Sequence, residues 1–278
     1  MPEHLRALVA ILAMATVVFV VAKGPACALA CANKDFERRR NLWFALTLAA
    51  FLAHNFWLFM VVAAAVLSFA LRSEQNKLAM FLFLLFAVPR IPGEISGMGL
   101  VNVLFVIDYV RLLALVVLLP TYLSLRKRHG TEPFGRLLSD KLLAGFLILE
   151  ILRSLEYRTF PSILRDSVFY AFIDIFLPYY VASRSLRNLE GFRDALMAFL
   201  AAALVLSAIL FFEFWRYWLL YSSLDGALEA PWGWSSYLQR AGNLRASGSV
   251  GHAIAAGYVI AVALALYLYL RTLVPNSM

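Results

Sequence analysis

The feature that most constrains this chain is a series of long apolar runs with few charged residues inside them. A run of about 20 apolar residues can cross the hydrocarbon core of a bilayer as a helix. Such runs lie near 5–22, 42–71, 100–123, 141–157, 166–182, 194–215 and 250–270, with a shorter one at 78–88. They lack the polar alternation of membrane β-barrel strands, and in hydrocarbon a helix satisfies its own backbone amides. The sequence therefore predicts an all-α, polytopic transmembrane helix bundle with about 7–8 spans.

Composition supports a membrane location. The chain is 63% hydrophobic and 15% charged, with a mean hydropathy of +0.78, whereas soluble domains are about 45–50% apolar and about 25% charged. The formal net charge is +8, and the basic residues form short clusters between the apolar runs. Such clusters orient membrane proteins. We therefore expect a lipid bilayer around a single domain spanning 1–278, and no nucleic-acid partner.

Two of the apolar runs have lengths that do not match one crossing. The run 42–71 is too long for one upright helix and too short for two, so we expect it to tilt or to continue along the interface. The run 78–88 is too short for a secure span. It ends in "VPRIPGEISGMG", where prolines and glycines stop a helix. It is predicted to be either a short span or a re-entrant element.

Clusters of lysine and arginine predict the orientation. "RKRHG" (Arg126 to Gly130) and "RSLRN" (Arg184 to Asn188) are expected in the cytoplasm because short basic loops stay on that side. The loop 216–249 then lies on the outer, periplasmic face. The cluster "DFERRR" (Asp35 to Arg40) is external if 78–88 crosses the membrane and cytoplasmic if 78–88 is re-entrant, and both alternatives stay open.

The main candidate site precedes the last apolar run, in "QRAGNLRASGSVGHAIAAGYVI". Arg240 and Arg245 carry planar guanidinium groups that bind phosphate oxygens in pairs, and a helix beginning near Ser247 or Ser249 would add free amides. The alternative is that both arginines are interfacial anchors. His252 is a candidate general base or hydrogen-bond donor to phosphate, or else a buried polar contact.

A second basic set lies in "LEILRSLEYRTFPSILRD". Glu150 and Arg153 are three residues apart and are expected to pair on a helix. Arg158 and Arg165 have weaker claims to local partners. We therefore predict that these two arginines are free to bind an external anion.

Acidic residues inside apolar runs are functional candidates, because burying a charge in a membrane is costly. Asp108 and Arg111 are expected to neutralise each other within one helix. Asp174 is expected to lend polar support near Pro178. The alternative role for these aspartates is proton coupling in a transporter.

The loop 216–249 is rich in tryptophan and tyrosine. These residues gather at membrane interfaces, and they also stack on sugar rings. Both interpretations stay open for Tyr217, Trp218, Tyr221, Trp232, Trp234 and Tyr237.

The segment "LRASGSVGHAIAAGYVI" before a long apolar helix resembles the O-antigen ligase and polymerase family of bacterial membrane proteins, as do "AFLAHNFWLF", "DYVRLLAL" and "FLPYYVASRSLR". The resemblance is loose over most of the chain and best over 240–270. It implies a GT-C-like fold in the bacterial inner membrane. It also implies transfer of a glycan from undecaprenyl pyrophosphate to an acceptor sugar, with no metal and no cofactor. Arg245 and Arg240 would then hold the pyrophosphate of the donor.

The chain also departs from that family. Ala253 stands where relatives usually have proline, and relatives usually continue into more helices and a later periplasmic loop that bears a catalytic histidine. We therefore expect these residues to be the N-terminal part of a longer protein, with His252, Glu229 or a later residue as the base. The runner-up function is a transporter or flippase for a lipid-linked sugar or another anion. A non-catalytic scaffold is a third alternative.

Overall fold

The computed structural model describes residues 1–99, 102–186, 188–228 and 237–272, and these ranges are mostly helical. The first helices are α1 (Glu3–Leu29), α2 (Asn33–Leu52), α3 (Phe56–Leu71) and α4 (Lys77–Leu84). An antiparallel hairpin of β1 (Gly93–Ser96) and β2 (Val103–Ile107) follows. Next come α5 (Tyr109–Lys127), α6 (Leu138–Ser154), α7 (160–185) and α8 (Leu189–Arg216). The chain continues through α9 (Leu224–Ala227), the short hairpin of β3 (Gln239–Arg240) and β4 (Asn243–Leu244), and α10 (Ala253–Thr272).

Two of these helices contain π-helical turns. Ala114–Leu118 is π-helical within α5, and Ile163–Tyr170 and Phe172–Phe176 are π-helical within α7. A proline lies at the start of the regular α-helix after Ala114–Leu118 (Pro120) and after Phe172–Phe176 (Pro178). Proline has no amide hydrogen, so the preceding turn cannot complete a regular α-helical ladder.

Four described helices are long and apolar enough to cross a membrane, by length and composition: α1, α5, α8 and α10. Helix α3 is apolar but shorter. The mostly helical fold and these four helices bear out a helical membrane protein. The prediction of 7–8 spans and of a GT-C-like arrangement goes further than this.

The apolar run 42–71 forms two helices, so its prediction as one tilted or interfacial segment is wrong. Helix α2 ends at Leu52, His54 takes a left-handed conformation with φ of 51°, and Asn55 caps α3. The Asn55 side-chain oxygen accepts hydrogen bonds from the backbone amides of Trp57 (2.9 Å) and Leu58 (3.1 Å). Asparagine is among the best N-cap residues, so the local sequence stops one helix and starts the next.

The runs 78–88 and 100–123 are helical only in part. Helix α4 ends at Leu84. The segment "VPRIPGEISGMG", where we predicted that the helix stops, contains strand β1. The start of the 100–123 run was predicted as helix, but Val103–Ile107 is strand β2, with Gly93 of β1 opposite Ile107. Gly93 is required there because an added Cβ would lie 2.0 Å from the ring of Phe56.

The core joins α1, α2 and α4 through aromatic rings. The Phe19 ring lies 5.5 Å from that of Trp43 in an edge-to-face contact and 5.3 Å from that of Phe83 in a stacked contact. All three side chains are buried. Edge-to-face and offset-stacked contacts are the favoured arrangements of aromatic pairs, so this cluster fixes how the three helices pack.

The bundle has two chemically different ends. At the first, which we call the charged end, Arg39 of α2 binds Asp194 of α8 at 2.6 Å, and Asn76 before α4 donates to the Gly191 carbonyl at 2.9 Å. The second, the hairpin end, contains the two β-hairpins and the segments 217–228 and 245–252. There the Phe56 amide donates to the Leu228 carbonyl at 3.1 Å.

Most of the chain's lysines and arginines lie at the charged end. The described lysines and arginines at this end are Lys23, Lys34, Arg38, Arg39, Arg40, Arg72, Lys77, Arg126, Lys127, Arg128, Arg136, Lys141, Arg184, Arg193 and Arg271. The "DFERRR", "RKRHG" and "RSLRN" clusters all meet here, because Asp35, Arg128 and Arg184 line one pocket. The sequence left open on which side of the membrane "DFERRR" lies. Because the run 42–71 forms two helices that run in opposite directions, this cluster lies at the same end as the other two. That solution was not one of the two predicted alternatives.

Candidate functional site

The candidate site is a pocket at the hairpin end with a volume of about 900 Å³. It lies where the β3–β4 hairpin leads into α10. One side is polar and includes Arg245 and His252, and the other is formed by apolar residues of α10. Its lining residues are Leu238, Arg245, Ser247, Gly251, His252, Ala253, Ile254, Ala255, Tyr258 and Val259.

A buried carboxylate holds the loop that forms this pocket. Glu213, near the end of α8, is 1% exposed. One oxygen accepts hydrogen bonds from the amides of Ser247 (3.1 Å) and Gly248 (2.9 Å), and the other accepts from the amide of Leu220 (3.0 Å). Hydrogen bonds to a charged acceptor are the stronger kind. Glu213 therefore ties the segment before α10 to the end of α8.

The predicted helix start at Ser247 or Ser249 is wrong in its details. Gly248–Val250 forms one 3-10 turn, and α10 begins only at Ala253. The amides of Ser247 and Gly248, which we expected to face the phosphates of a substrate, bind Glu213 instead.

Two glycines in this loop adopt backbone conformations that other residues rarely adopt. Gly248 has a φ of 52° and Gly251 a φ of 81°, and both values lie in the left-handed region. An added Cβ on Gly248 would approach the Leu206 side chain to 2.7 Å. Glycine avoids the steric cost of that conformation at both positions, and Gly248 also lets the loop approach α8 closely.

Arg245 is half-buried beside the pocket. Its backbone amide donates to the Leu238 carbonyl at 2.9 Å, and its guanidinium has no acidic partner among the described residues. Arg240 is exposed in β3, opposite Asn243, and it does not line the pocket. The structure therefore brings Arg245, but not Arg240, next to His252.

His252 stands just before the first residue of α10. Its carbonyl accepts the Ala256 amide at 2.9 Å, which begins the hydrogen-bond ladder of the helix. The residue is exposed and lines the pocket, so the alternative of a buried polar contact does not hold. In the part of the chain that the structure describes, no carboxylate bonds to its imidazole.

Arg158 and Arg165 differ from what we expected, because both have a local acidic partner. Asp166 binds Arg158 at 2.8 Å and Arg165 at 2.7 Å, and Arg165 also donates to the Val103 carbonyl at 2.7 Å. Neither arginine lines the pocket. Arg165 joins α7 to β2, and Arg158 pairs with the start of α7, so the prediction that both lack local partners is wrong.

The other predicted pairs have mixed outcomes. Glu150 and Arg153 do pair, at 3.8 Å on the exposed face of α6. Asp108 and Arg111 do not form the expected ion pair. Asp108 caps α5 by accepting the Arg111 amide at 2.9 Å, and it binds the Arg90 guanidinium at 3.1 Å.

The partner of Arg111 is Asp174. The two side chains are 2.9 Å apart, and the Arg111 guanidinium lies 3.5 Å from the centre of the Tyr170 ring. Asp174 therefore neutralises Arg111 and is not mainly a polar support for the proline that follows.

The aromatic residues of the loop 216–249 divide into three groups. Trp218 donates to Glu3 at 3.1 Å and Tyr237 accepts the Leu219 amide at 3.3 Å, while Tyr217 is exposed. Tyr221 is buried, so it neither faces an interface nor stacks on a sugar. Trp232 and Trp234 lie outside the described residues, as does the candidate base Glu229.

Several buried charged residues were not predicted as functional candidates, among them Glu213 and Arg39. Each is an ionisable residue within or beside an apolar run, which is the signal by which they could have been found. Within 1–99, 102–186, 188–228 and 237–272, no three metal-ligating side chains come together. Arg245 and His252 are therefore the residues of this pocket that are suited to a charged ligand.

No protein-family model matches the chain, and neither does any curated protein or any solved structure. The resemblance to the O-antigen ligase and polymerase family therefore stays a prediction.

Proposed function

We propose that this chain is a membrane glycosyltransferase, a ligase or polymerase that acts in surface polysaccharide or O-antigen assembly. It would transfer a glycan from undecaprenyl pyrophosphate to an acceptor sugar. The observation that carries this proposal is that Arg245 and His252 line one pocket with an apolar wall of α10. A lipid diphosphate joins an anion to a hydrocarbon chain. It therefore needs a cationic surface and an apolar surface side by side.

The residues of the pocket suggest a division of roles. An acceptor hydroxyl oxygen attacks the anomeric carbon of the donor, a new carbon–oxygen bond forms, and the bond from that carbon to the diphosphate breaks. The hydroxyl proton passes to a base, for which His252 is the candidate in the pocket. Arg245 neutralises the charge that develops on the leaving diphosphate, and such a contact is worth more where water is sparse.

The distribution of charge supports an outer location for this pocket. Lysines and arginines concentrate at the charged end, and basic segments next to membrane spans stay in the cytoplasm. In a bacterial inner membrane crossed several times by this chain, the hairpin end then faces the periplasm. A lipid-linked donor would reach the pocket along the exposed side of α10, where Ile254 and Tyr258 are each 76% exposed.

The transporter alternative has less support. It relied on Asp108 and Asp174 as proton carriers, but these side chains bind Arg90 and Arg111. Both aspartates therefore serve as arginine partners within the fold. The candidate pocket also lies at one end of the bundle, whereas secondary transporters bind substrate near the middle of the membrane.

A transfer assay with the protein in detergent tests the proposal. The donor is an undecaprenyl-pyrophosphate-linked glycan, and the product is the acceptor extended by that glycan. We expect Arg245→Ala to lower the rate by about 100-fold, the scale found when one charge-stabilising donor is removed. Arg245→Lys should restore part of the rate, because lysine keeps the charge and loses the planar fork.

The matched control is Arg240→Ala, which removes an exposed arginine from the same hairpin. We expect it to transfer at close to the normal rate. Equal losses in Arg240→Ala and Arg245→Ala would contradict a specific role for the pocket. Transfer in detergent, where no gradient exists, would count against a carrier.

A further inference from the structure

A second pocket, with a volume of about 590 Å³, lies at the charged end of the bundle. It is enclosed by residues of α4, α5 and α7 and by those around the starts of α2 and α8. Its lining is mainly polar, in contrast to the pocket beside Arg245. The residues that matter here are Ala32, Asn76, Lys77, Arg128, Ser185 and Asn188.

Three helices begin at this pocket. Ala32, Asn76 and Asn188 are the N-cap residues of α2, α4 and α8, and all three line it. The first amides of a helix have no partner within the helix and carry partial positive charge. No side chain caps α2, and each asparagine caps only one amide of its own helix. Three such helix starts make the pocket favourable for an anion.

Two basic side chains add full positive charge. Lys77 and Arg128 line the pocket, and neither has an acidic partner among the described residues. The acids that line it are partly neutralised already, because Asp35 and Asp194 each bind an arginine of α2. Glu190, which is exposed, is the remaining acid. The unpaired charges of the pocket therefore favour a negatively charged ligand.

A buried hydroxyl independently points to a ligand. The Ser185 oxygen is inaccessible to solvent and has no hydrogen-bond partner within the described ranges. Buried polar atoms nearly always have a partner, so each exception calls for a reason. Ser185 lines the pocket, so a change of its side-chain rotamer would let the hydroxyl donate to an oxygen of a bound anion.

We propose that this pocket binds a phosphate-bearing anion. Lys77 and Arg128 pair with the phosphate oxygens, Ser185 donates a hydrogen bond, and the three helix starts contribute their free amides. The phosphate belongs either to the headgroup of an anionic phospholipid or to a small compound dissolved in water. The site is at the opposite end of the bundle from Arg245 and does not depend on the function proposed there.

Chemical labelling of Lys77 tests this proposal at the level of one residue. The whole chain is placed in lipid nanodiscs, treated with an amine-acylating reagent, and analysed by mass spectrometry. Lys127 is the control, because it is exposed at the same end and does not line the pocket. The arms are phosphatidylcholine discs, the same discs with inorganic phosphate at constant ionic strength, and phosphatidylglycerol discs.

Compared with phosphatidylcholine discs alone, we expect the labelling of Lys77 to slow by about tenfold either with inorganic phosphate or in phosphatidylglycerol discs. A tenfold change is the size of effect expected from a single charged contact. Slowing by inorganic phosphate assigns the site to a dissolved compound. Slowing in phosphatidylglycerol discs alone assigns it to a lipid headgroup. No slowing in either arm, or equal slowing at Lys127, would overturn the proposal.

Substitution of Arg128 provides a second test. Arg128→Gln should lower the affinity for the anion that protects Lys77 by about tenfold. Arg126→Gln, two residues away and outside the pocket, should leave that affinity unchanged. Both side chains are exposed, so we expect equal unfolding temperatures. Equal affinities for the two variants would refute the role of Arg128.

Discussion

The two ends of the molecule hold their charged residues in different ways. At the charged end, Arg39 is 1% exposed and binds both Glu74 (2.8 Å) and Asp194 (2.6 Å), so its charge is satisfied inside the protein. At the hairpin end, Glu213 binds backbone amides, and Arg245, which lines the nearby pocket, has no acidic partner in the described residues. Paired charges at the first end build the fold. At the second, ion pairs such as that of Arg165 with Asp166 support the first hairpin, Glu213 holds the loop before α10, and Arg245 is left for a ligand.

This comparison predicts which substitutions damage the fold and which damage function. Removing one member of a buried ion network leaves its partners charged and without compensation, which is strongly destabilising. Removing an arginine without a protein partner has little effect on folding. The expected loss of stability decreases from Arg39→Ala through Glu213→Gln to Asp140→Asn.

Arg39→Ala should cause the largest loss, about 3 to 5 kcal/mol of unfolding free energy, because Glu74 and Asp194 remain buried without their shared partner. Thermal unfolding in detergent measures this effect. Arg40→Ala is the control, since Arg40 bonds only to its neighbour Asn41. We expect it to change stability by less than about 0.5 kcal/mol. Similar unfolding of both variants would show that the buried network is not what stabilises the charged end.

Glu213→Gln should lower stability by about 2 to 3 kcal/mol, because glutamine has one acceptor oxygen and leaves buried amides unpaired. The same variant should bind a lipid diphosphate more weakly, since Ser247 and Gly248 lead directly to the pocket. Glu156→Gln, an exposed residue at the same end, serves as the control. If Glu213→Gln unfolds like the unsubstituted protein, the carboxylate does not hold the loop.

Asp140 should make the charged end sensitive to acid. Arg184 binds its carboxylate and, with Tyr179 and two backbone amides, holds the pKa of Asp140 well below its usual range. Because the folded-state pKa is the lower one, this stability is present above the ordinary carboxyl pKa, near about 4, and is lost as the pH falls.

Asp140→Asn should therefore lose about 1 to 2 kcal/mol at pH 7 and show a weaker dependence on pH than the unsubstituted protein between about pH 5 and about pH 3. Unfolding temperatures across this range measure it. Parallel pH profiles for the two proteins would mean that Asp140 contributes nothing in its ionised form.

The helices were predictable to the extent that their causes are local. Long apolar runs predicted the positions of α1, α6, α7, α8 and α10, because the length of an apolar run can be read directly from consecutive residues. The split of 42–71 was missed because the charged stretch before it was left out of the helix. That stretch is helical in the structure, and its Arg39 binds Asp194, which lies 155 residues further along the chain; no local pattern shows such a partner.

The candidate site was predictable for the same reason and only in part. Arg245 and His252 are near each other in sequence, so their shared pocket follows from a short segment. Glu213 lies 34 residues before Ser247, and nothing near either residue indicates the contact. The error over Arg158 and Arg165 was avoidable, because their partner Asp166 lies next to Arg165 in the sequence.

The most direct test of the account is to measure donor binding and stability for the same pair of variants. Undecaprenyl pyrophosphate is titrated into the detergent-solubilised protein, and the dissociation constants of Arg245→Ala and Arg240→Ala are compared with their unfolding temperatures. We predict that Arg245→Ala binds at least about tenfold more weakly, that Arg240→Ala binds normally, and that both unfold like the unsubstituted protein. Equal affinities, or weakened binding that merely follows a loss of stability, would contradict the claim that the unpaired Arg245 holds the diphosphate.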